Sequence, residues 1–170
     1  MGRARDIRLL PDCAVVTLTR GYEAVIDLAD VPLVAGRNWS ALVSKNRKAV
    51  YAVRVVTRNG KQTMLLLHRI ISDAPAEMHV DHRDGDGLNN RRDNLRVCTQ
   101  AENNRNQGIR SDNTCGFKGV SLDKRINRWK AEIETNGRRR FLGHHATPEA
   151  AHAAYLAAAA VEHGEFARGV

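Results

Sequence analysis

No apolar run in this 170-residue chain approaches the ~20 residues that span a bilayer, and the opening MGRARDIRLL lacks the long apolar stretch of a secretion signal. Both absences argue against a membrane protein, and a cytoplasmic location is expected. Cysteine is scarce: Cys13, Cys98 and Cys115 are isolated, with no CxxC pair, so neither a disulfide framework nor a structural zinc site is indicated. Acidic residues are also outnumbered, 19 Asp and Glu against 27 Lys and Arg, which leaves a formal net charge of +8. A polyanion is the natural partner of such a chain.

Short alternating runs fill residues 6–67: Cys13 to Leu18, Glu23 to Leu28, Val50 to Val56 and Thr63 to Leu67. Turn formers separate them at Arg20-Gly21 and at Asn59-Gly60, the latter a strong hairpin signal. An antiparallel meander is expected, with a short helix between Ala29 and Trp39. Trp39 and Tyr51 read as core residues.

The stretch VDHRDGDGLNNRRDNLRVCTQAENNRN, residues 80–106, has a different character. Met64 to Leu67 and Val80 read as strand, Asp84-Gly85-Asp86-Gly87 as the turn that closes it, and Leu95-Arg96-Val97 as a second short strand. Thr99 followed by Glu102 is a capping-box signature for a helix beginning near Gln100. This order sets an Asp-His pair at a strand end and Asn103 one turn into a helix. A carboxylate and an amide oxygen can share a hard divalent cation, leaving positions for water and phosphate oxygens. His82 is then the group to take a proton from water, and Asn94 the candidate to orient its ring. A calcium loop is ruled out, because the segment carries Arg91-Arg92 and no Glu at the required place.

Asp81-His82, Asn94-Leu95 and Asn103, in this order, resemble the His-Me finger or HNH endonucleases of the phage and homing type. The resemblance implies a ββα-metal module in which His82 is the general base, Asp81 and Asn103 hold one divalent ion, and Asn94 positions the base. Mg²⁺ is the expected ion, with Mn²⁺ as a substitute. Asn104 is an alternative ligand to Asn103. His68 and Arg69, just ahead of the site, divide between a packing role and a grip on the scissile phosphate.

After a turn-rich linker, residues 108–115, strands are expected over Phe117 to Leu122, Arg128 to Thr135 and Arg139 to Leu142, with Asn136-Gly137 as a tight turn. A helix follows, capped by Thr147, entered by Pro148 and stopped by Gly164. Alternation puts Trp129, Ala131 and Ile133 toward that Ala-rich helix, and Arg128, Lys130, Glu132 and Glu134 on the other face. Residues 116–143 hold eight positive charges against three negative, a net of +5.

The run FKGVSLDKRINRWKAEIETNGRRRFLGHHATPEAAHAAYLAAA is similar to the plant ethylene-response-factor (Apetala) DNA-binding domain. That resemblance implies a sheet laid in the DNA major groove with contacts from Lys118, Ser121, Asp123, Arg128, Lys130, Glu132 and Arg139. Ser121 and Asp123 depart from the plant pattern, so the plant target sequence is not carried over. Arg140 follows Leu142 toward the helix and is a weaker contact than Arg139.

The expected fold class is α+β: a β-rich region over residues 1–63, a nuclease module over 64–107, the linker and a DNA-binding domain over 116–170. The expected function is metal-dependent hydrolysis of phosphodiesters in duplex DNA, in a bacterial or phage-infected cell. No small-molecule cofactor is expected, and a monomer that nicks is the simplest arrangement, with a dimer able to cut both strands. The alternative is a sequence-specific DNA-binding regulator with an inactive nuclease module.

Overall fold

Alternation, hairpin dipeptides and capping residues act locally, and in the computed structural model each produces the element expected of it. The structure describes residues 6–45, 49–106, 108–109, 113–135 and 137–167. Asn136, residues 1–5 and part of the expected linker, residues 110–112, lie outside them. The chain divides into two compact units, Met1–Cys98 and Thr99–Val170. No helix among the described residues is long and apolar enough to cross a membrane.

The first unit holds three sheets. Strands β1 (Ile7–Leu9), β2 (Ala14–Thr17) and β3 (Glu23–Ile26) form an antiparallel sheet in chain order, β2 and β3 joined through the Arg20-Gly21 turn, where both residues have positive φ. A 3-10 turn at Leu28–Asp30 leads into α1 (Val31–Val34). Strands β4 (Ser40–Val43), β5 (Val50–Arg58) and β6 (Lys61–Leu66) make a second antiparallel sheet, with Asn59 and Gly60 both at positive φ in the β5–β6 turn. The region is therefore two sheets, not the single meander expected. The apolar run does not carry through as strand either: Leu67 opens α2 (Leu67–Ser72), which puts the apolar Leu67 and Ile71 one turn apart on the buried side. Then β7 (His79–His82) pairs antiparallel with β8 (Leu95–Cys98), Asp81 opposite Arg96 and His82 opposite Leu95.

One core serves this unit. Ala14, Val16, Ala24 and Ile26 of the first sheet pack with Val34, Trp39, Ala52 and, from α2, Leu67 and Ile71. Leu88 and Leu95, from the loop and strand that follow His82, close its edge. Trp39 is core as expected, 1% exposed, with its indole N–H donating to the Val34 carbonyl at 3.2 Å.

The second unit begins with α3 (Gln100–Asn106). Its capping box is complete: Thr99 donates N–H and O–H to the Glu102 carboxylate, each at 2.8 Å, and Glu102 N–H returns to Thr99 Oγ1 at 3.3 Å. Strands β9 (Val120–Asp123), β10 (Arg128–Thr135) and β11 (Arg138–His145) form an antiparallel sheet with β10 in the centre, covered on one face by α4 (Pro148–His163). Thr147 caps α4 by accepting from Ala150 N–H at 3.2 Å. The fold is thus β-rich and mixed, with four small sheets and few helices among the described residues.

Ala131 and Ile133 are buried against Ala151, Tyr155 and Ala159 of α4. A bulge at Ala131/Glu132 lets Leu142 and Gly143 share the place opposite Ala131. Gly119 is the tight point: it has φ +73, and an added Cβ would lie 2.6 Å from a Tyr155 ring carbon and 2.8 Å from the Glu132 carbonyl. Gly119→Ala therefore carries both overpacking and backbone strain, a loss of about 3 kcal/mol. Thermal melting of the variant is expected to show the second unit unfolding first, and an unchanged melting profile would contradict the packing.

Candidate active site

The end of β7 is built by elements from across the first unit. Asp81 and His82 are the last two residues of the strand, both buried. The Asp81 carboxylate is paired with the equally buried guanidinium of Arg96, directly across the ladder on β8. Opposite charge is what makes burial of either group tolerable. His82 stands in an aromatic cluster, its ring centroid 5.0 Å from that of His68 in edge-on contact and 6.1 Å from that of Tyr51. Tyr51 in turn meets His68 edge-on at 5.7 Å. Gly87 makes this approach possible, since a Cβ there would come within 2.6 Å of the Tyr51 ring.

The loop after His82 is a web of short hydrogen bonds. Asp84 accepts from Asp86 N–H at 2.8 Å, from Asn89 Nδ2 at 2.7 Å and from Asn94 Nδ2 at 3.0 Å. Those bonds hold its carboxyl below the usual carboxylate range despite partial burial. Asn94 Oδ1 accepts from Asp84 N–H at 3.1 Å, while its amide also donates to the Asn89 carbonyl at 2.8 Å. The Asn94 side chain is therefore spent on the loop. The side chain that acts on the His82 ring is Asn90, fully buried, with its amide donating to the Leu88 carbonyl at 2.9 Å. An Asn-Asn dipeptide in a Gly-rich turn reads as turn chemistry, and only the burial of Asn90 distinguishes it.

The loop is also bolted to the first sheet. Val25 N–H donates to the Leu88 carbonyl at 2.9 Å, and Asn90 N–H to the Val25 carbonyl at 2.8 Å. Arg91 Nε binds Asp27 at 3.0 Å and its Nη1 binds Asp12 at 3.2 Å, while Arg92 forks onto the buried Asp30 at 2.6 Å. Residues 12–30 thus position the site, a role that alternation alone did not reveal.

Burial pulls the His82 pKa below its ordinary value, and the Asn90 side chain with the charges of Asp84, Asp81 and Asp86 pulls it partly back. His82 is therefore neutral at ordinary pH. His68 is lowered further, to about 3, by burial and by the neighbouring His82 and Arg69. Its Nδ1 finds no hydrogen-bond partner among the described residues. Arg69 donates to the carbonyls of Met78, Ala74 and Pro75 at 2.8, 3.2 and 2.7 Å, which ties α2 to the approach to β7.

No group of three or more His, Cys, Asp and Glu gathers as a metal cluster among the described residues. The carboxylates whose charges act on His82 are each engaged: Asp81 by Arg96, Asp84 by Asp86 N–H, Asn89 and Asn94, and Asp86 by Leu88 N–H at 2.9 Å. Asp81 and Asn103 belong to different units. On α3, Asn104 Oδ1 accepts from Gln100 Nε2 at 2.8 Å.

In the second unit, register places Ser121, Asp123, Arg128, Lys130, Glu132, Glu134, Arg139, Phe141 and His144 on the sheet face away from α4. Several of these charges pair with each other: Lys130 with Glu132 at 2.8 Å, Arg139 with Glu134 at 3.6 Å, and His144 with Asp123 at 3.5 Å. Arg140 lies on the helix side, bound to Glu162 at 2.9 Å. Lys118 donates to the Arg105 carbonyl at 2.6 Å. Phe141, at 53% exposure, was not anticipated on this face.

The sequence of elements and the Asp-His pair at the strand end define the class: residues 73–105 match the HNH endonuclease family, and residues 115–163 match the AP2 domain. The chain thus carries a segment similar to HNH endonucleases joined to one similar to the AP2 domain, as the two resemblances implied. Protein 3.8 of Escherichia phage T7 is 36% identical over 64 residues, covering 38% of this chain and 53% of that protein. The H-N-H endonuclease F-TflI of Escherichia phage T5 is 46% identical over 55 residues, covering 28% of each. The chain thus spans about half and about a quarter of these relatives' lengths. No solved structure matches.

His68 gives the site an acid signature. Its folded pKa of about 3 lies below the ordinary 6.5, so the unfolded chain takes up the proton first. The stability it contributes is complete above about pH 6.5 and declines as pH falls toward about 3. His68→Phe is expected to flatten that limb in denaturant titrations run from pH 7 to pH 4, and an unaltered acid slope would mean that His68 is not buried as a neutral ring.

Proposed function

We propose that the protein is a metal-dependent endonuclease that hydrolyses phosphodiester bonds in duplex DNA, with residues 64–107 as the nuclease module and residues 116–170 as a DNA-binding domain. One observation carries the reading: a buried, neutral histidine at a strand end, beside a carboxylate, inside a segment that matches the HNH endonuclease family.

A general base must be unprotonated when water arrives, and burial keeps His82 in that state. His82 takes the proton from water as the oxygen attacks phosphorus in line. The Tyr51–His68 pair packs against its ring, and Asn94 acts at one remove by fixing the loop. A divalent ion, Mg²⁺ with Mn²⁺ as substitute, would supply charge neutralisation at the phosphate and at the departing 3′ oxygen. The family pattern gives it to Asp81, whose carboxylate would exchange the Arg96 guanidinium for the ion, with Asn103 as the second ligand. Asn104 is the weaker candidate, its oxygen already serving Gln100. The expected products are a 5′-phosphate and a 3′-hydroxyl.

The AP2 sheet would bind the duplex mainly through phosphates, from Arg128, Lys130 and Arg139, with Ser121 and Glu132 among the groups at base edges. Phosphate contacts fix register and base contacts fix sequence. A monomer is the simplest working form.

The direct test is supercoiled plasmid with wild-type protein and His82→Ala, in Mg²⁺, Mn²⁺ or EDTA, read on a gel. Metal-dependent relaxed or linear DNA from wild type alone is the expected result, with DNA binding retained by His82→Ala. Salt-sensitive binding with no product on any DNA would favour a DNA-binding regulator instead. For the sheet, Arg128→Ala with Arg139→Ala is expected to lower the slope of log K against log salt by roughly two phosphate equivalents. An unchanged slope would remove this face from the interface.

A further inference from the structure

Charge is distributed unevenly in this chain. Residues 31–72 contain Arg37, Lys45, Arg47, Lys48, Arg54, Arg58, Lys61 and Arg69 and not one Asp or Glu. That segment alone has a charge of +8, and the remaining 19 Lys and Arg are balanced by 19 Asp and Glu. The net charge of +5 over residues 116–143 is thus cancelled elsewhere in the sequence, whereas the excess within 31–72 is not.

The structure places much of this excess on the second sheet. On β5, alternation sets Ala52, Arg54, Val56 and Arg58 on one face, and the register puts Lys61 directly opposite Arg58 and Thr63 opposite Val56. Ala52 is in the core, and beyond it Arg54 lies over the Trp39 ring at 5.6 Å from its centroid. Burial, and after it the charges of Arg37 and Arg58, pull the Arg54 pKa below the ordinary value. No ion pair among the described residues involves Arg37, Lys45, Arg54, Arg58 or Lys61, and the buried Arg54 Nε has no hydrogen-bond partner among them. In the same unit Arg91, Arg92 and Arg96 each face a carboxylate.

Like charges directly opposed on a ladder destabilise it, and a guanidinium left beside two others is a cost to the fold that a solvated surface does not require. We propose that the face formed by Arg37, Arg54, Arg58 and Lys61 at the β5–β6 hairpin is a second contact surface for duplex DNA, separate from the AP2 sheet. It binds backbone phosphates, because a hairpin rimmed with cations that have no carboxylate partner among the described residues matches a polyanion. This surface rests on the proposed DNA substrate and adds where the first unit holds it.

The test uses the full chain and binding, not cleavage. Arg37, Arg58 and Lys61 are exposed, so Arg37→Gln/Arg58→Gln/Lys61→Gln leaves the core untouched. Its melting temperature is expected to hold or rise as like-charge repulsion is relieved. Duplex DNA binding is measured against salt for wild type, the triple Gln variant, and a charge-retaining Arg37→Lys/Arg58→Lys/Lys61→Arg variant. The Gln variant is expected to lose about 2.7 from the slope of log K against log salt, from three contacts at ~0.9 each, and the charge-retaining variant to keep the wild-type slope. A wild-type slope in the Gln variant, with the Arg128/Arg139 variant still weakened, would overturn this surface and leave the nuclease reading standing. Loss on duplex RNA of the same sequence but not on DNA would also overturn it. Absence of salt-sensitive DNA binding by wild type would overturn both readings together.

Discussion

Everything at the candidate active site depends on how one polar loop is held. Residues 83–94 carry few apolar side chains and would not keep a fixed course on their own. They are fixed by two sets of bonds: Asp84, Asn89 and Asn94 bind each other from within, and Val25, Asp27 and Asp30 grip the loop from outside. The Arg92–Asp30 pair is the strongest point of that grip, because Asp30 is 1% exposed and its charge has a fork of donors to meet it. With the loop fixed, Asn90 reaches His82 and Gly87 reaches Tyr51. A strand end has thereby become a place where a neutral imidazole is kept in one orientation.

Much of this was legible in the sequence wherever the signal was local. Thr99 and Glu102 announced the start of α3, Thr147-Pro148 and Gly164 bounded α4, and Asn59-Gly60 marked the β5–β6 hairpin. The Asp-His pair and the strand that follows were readable because turn formers set them apart. What was not legible needed distant partners. Nothing near Asp27 or Asp30 says that they hold Arg91 and Arg92 more than sixty residues away. Asn94 reads as the partner of the imidazole because its side-chain oxygen can accept a hydrogen bond and it stands in the right order, and only the folded loop reveals that its amide binds Asp84 and the Asn89 carbonyl. Leu67 read as strand because the apolar run is continuous there, yet tertiary packing of Leu67 and Ile71 on one side makes it a helix.

The two units solve burial differently. The first builds one core from two sheets and α2, closed by Trp39, and must bury charge to finish its site. The second relies on small residues: Ala131, Ala151 and Ala159 bring α4 close to the sheet, and Gly119 gives Tyr155 room at the edge. A close helix on one face leaves the other face free for polar and charged side chains, and it is there that Arg128, Lys130 and Arg139 lie.

The bulge opposite Ala131 has an effect on how this face can change over time. Because Leu142 and Gly143 occupy one place in the ladder, Leu142 keeps its packing while the residues after it are moved on by one, which sets His144 beside Asp123 on the open face. Loss of the Gly143 codon would remove the bulge and leave Phe141 opposite Glu132, Leu142 opposite Ala131 and His144 opposite Lys130, so the side chains before and after it keep their faces. One residue of length is thus absorbed at this point, and descendants of this chain could shed it without altering what the sheet presents.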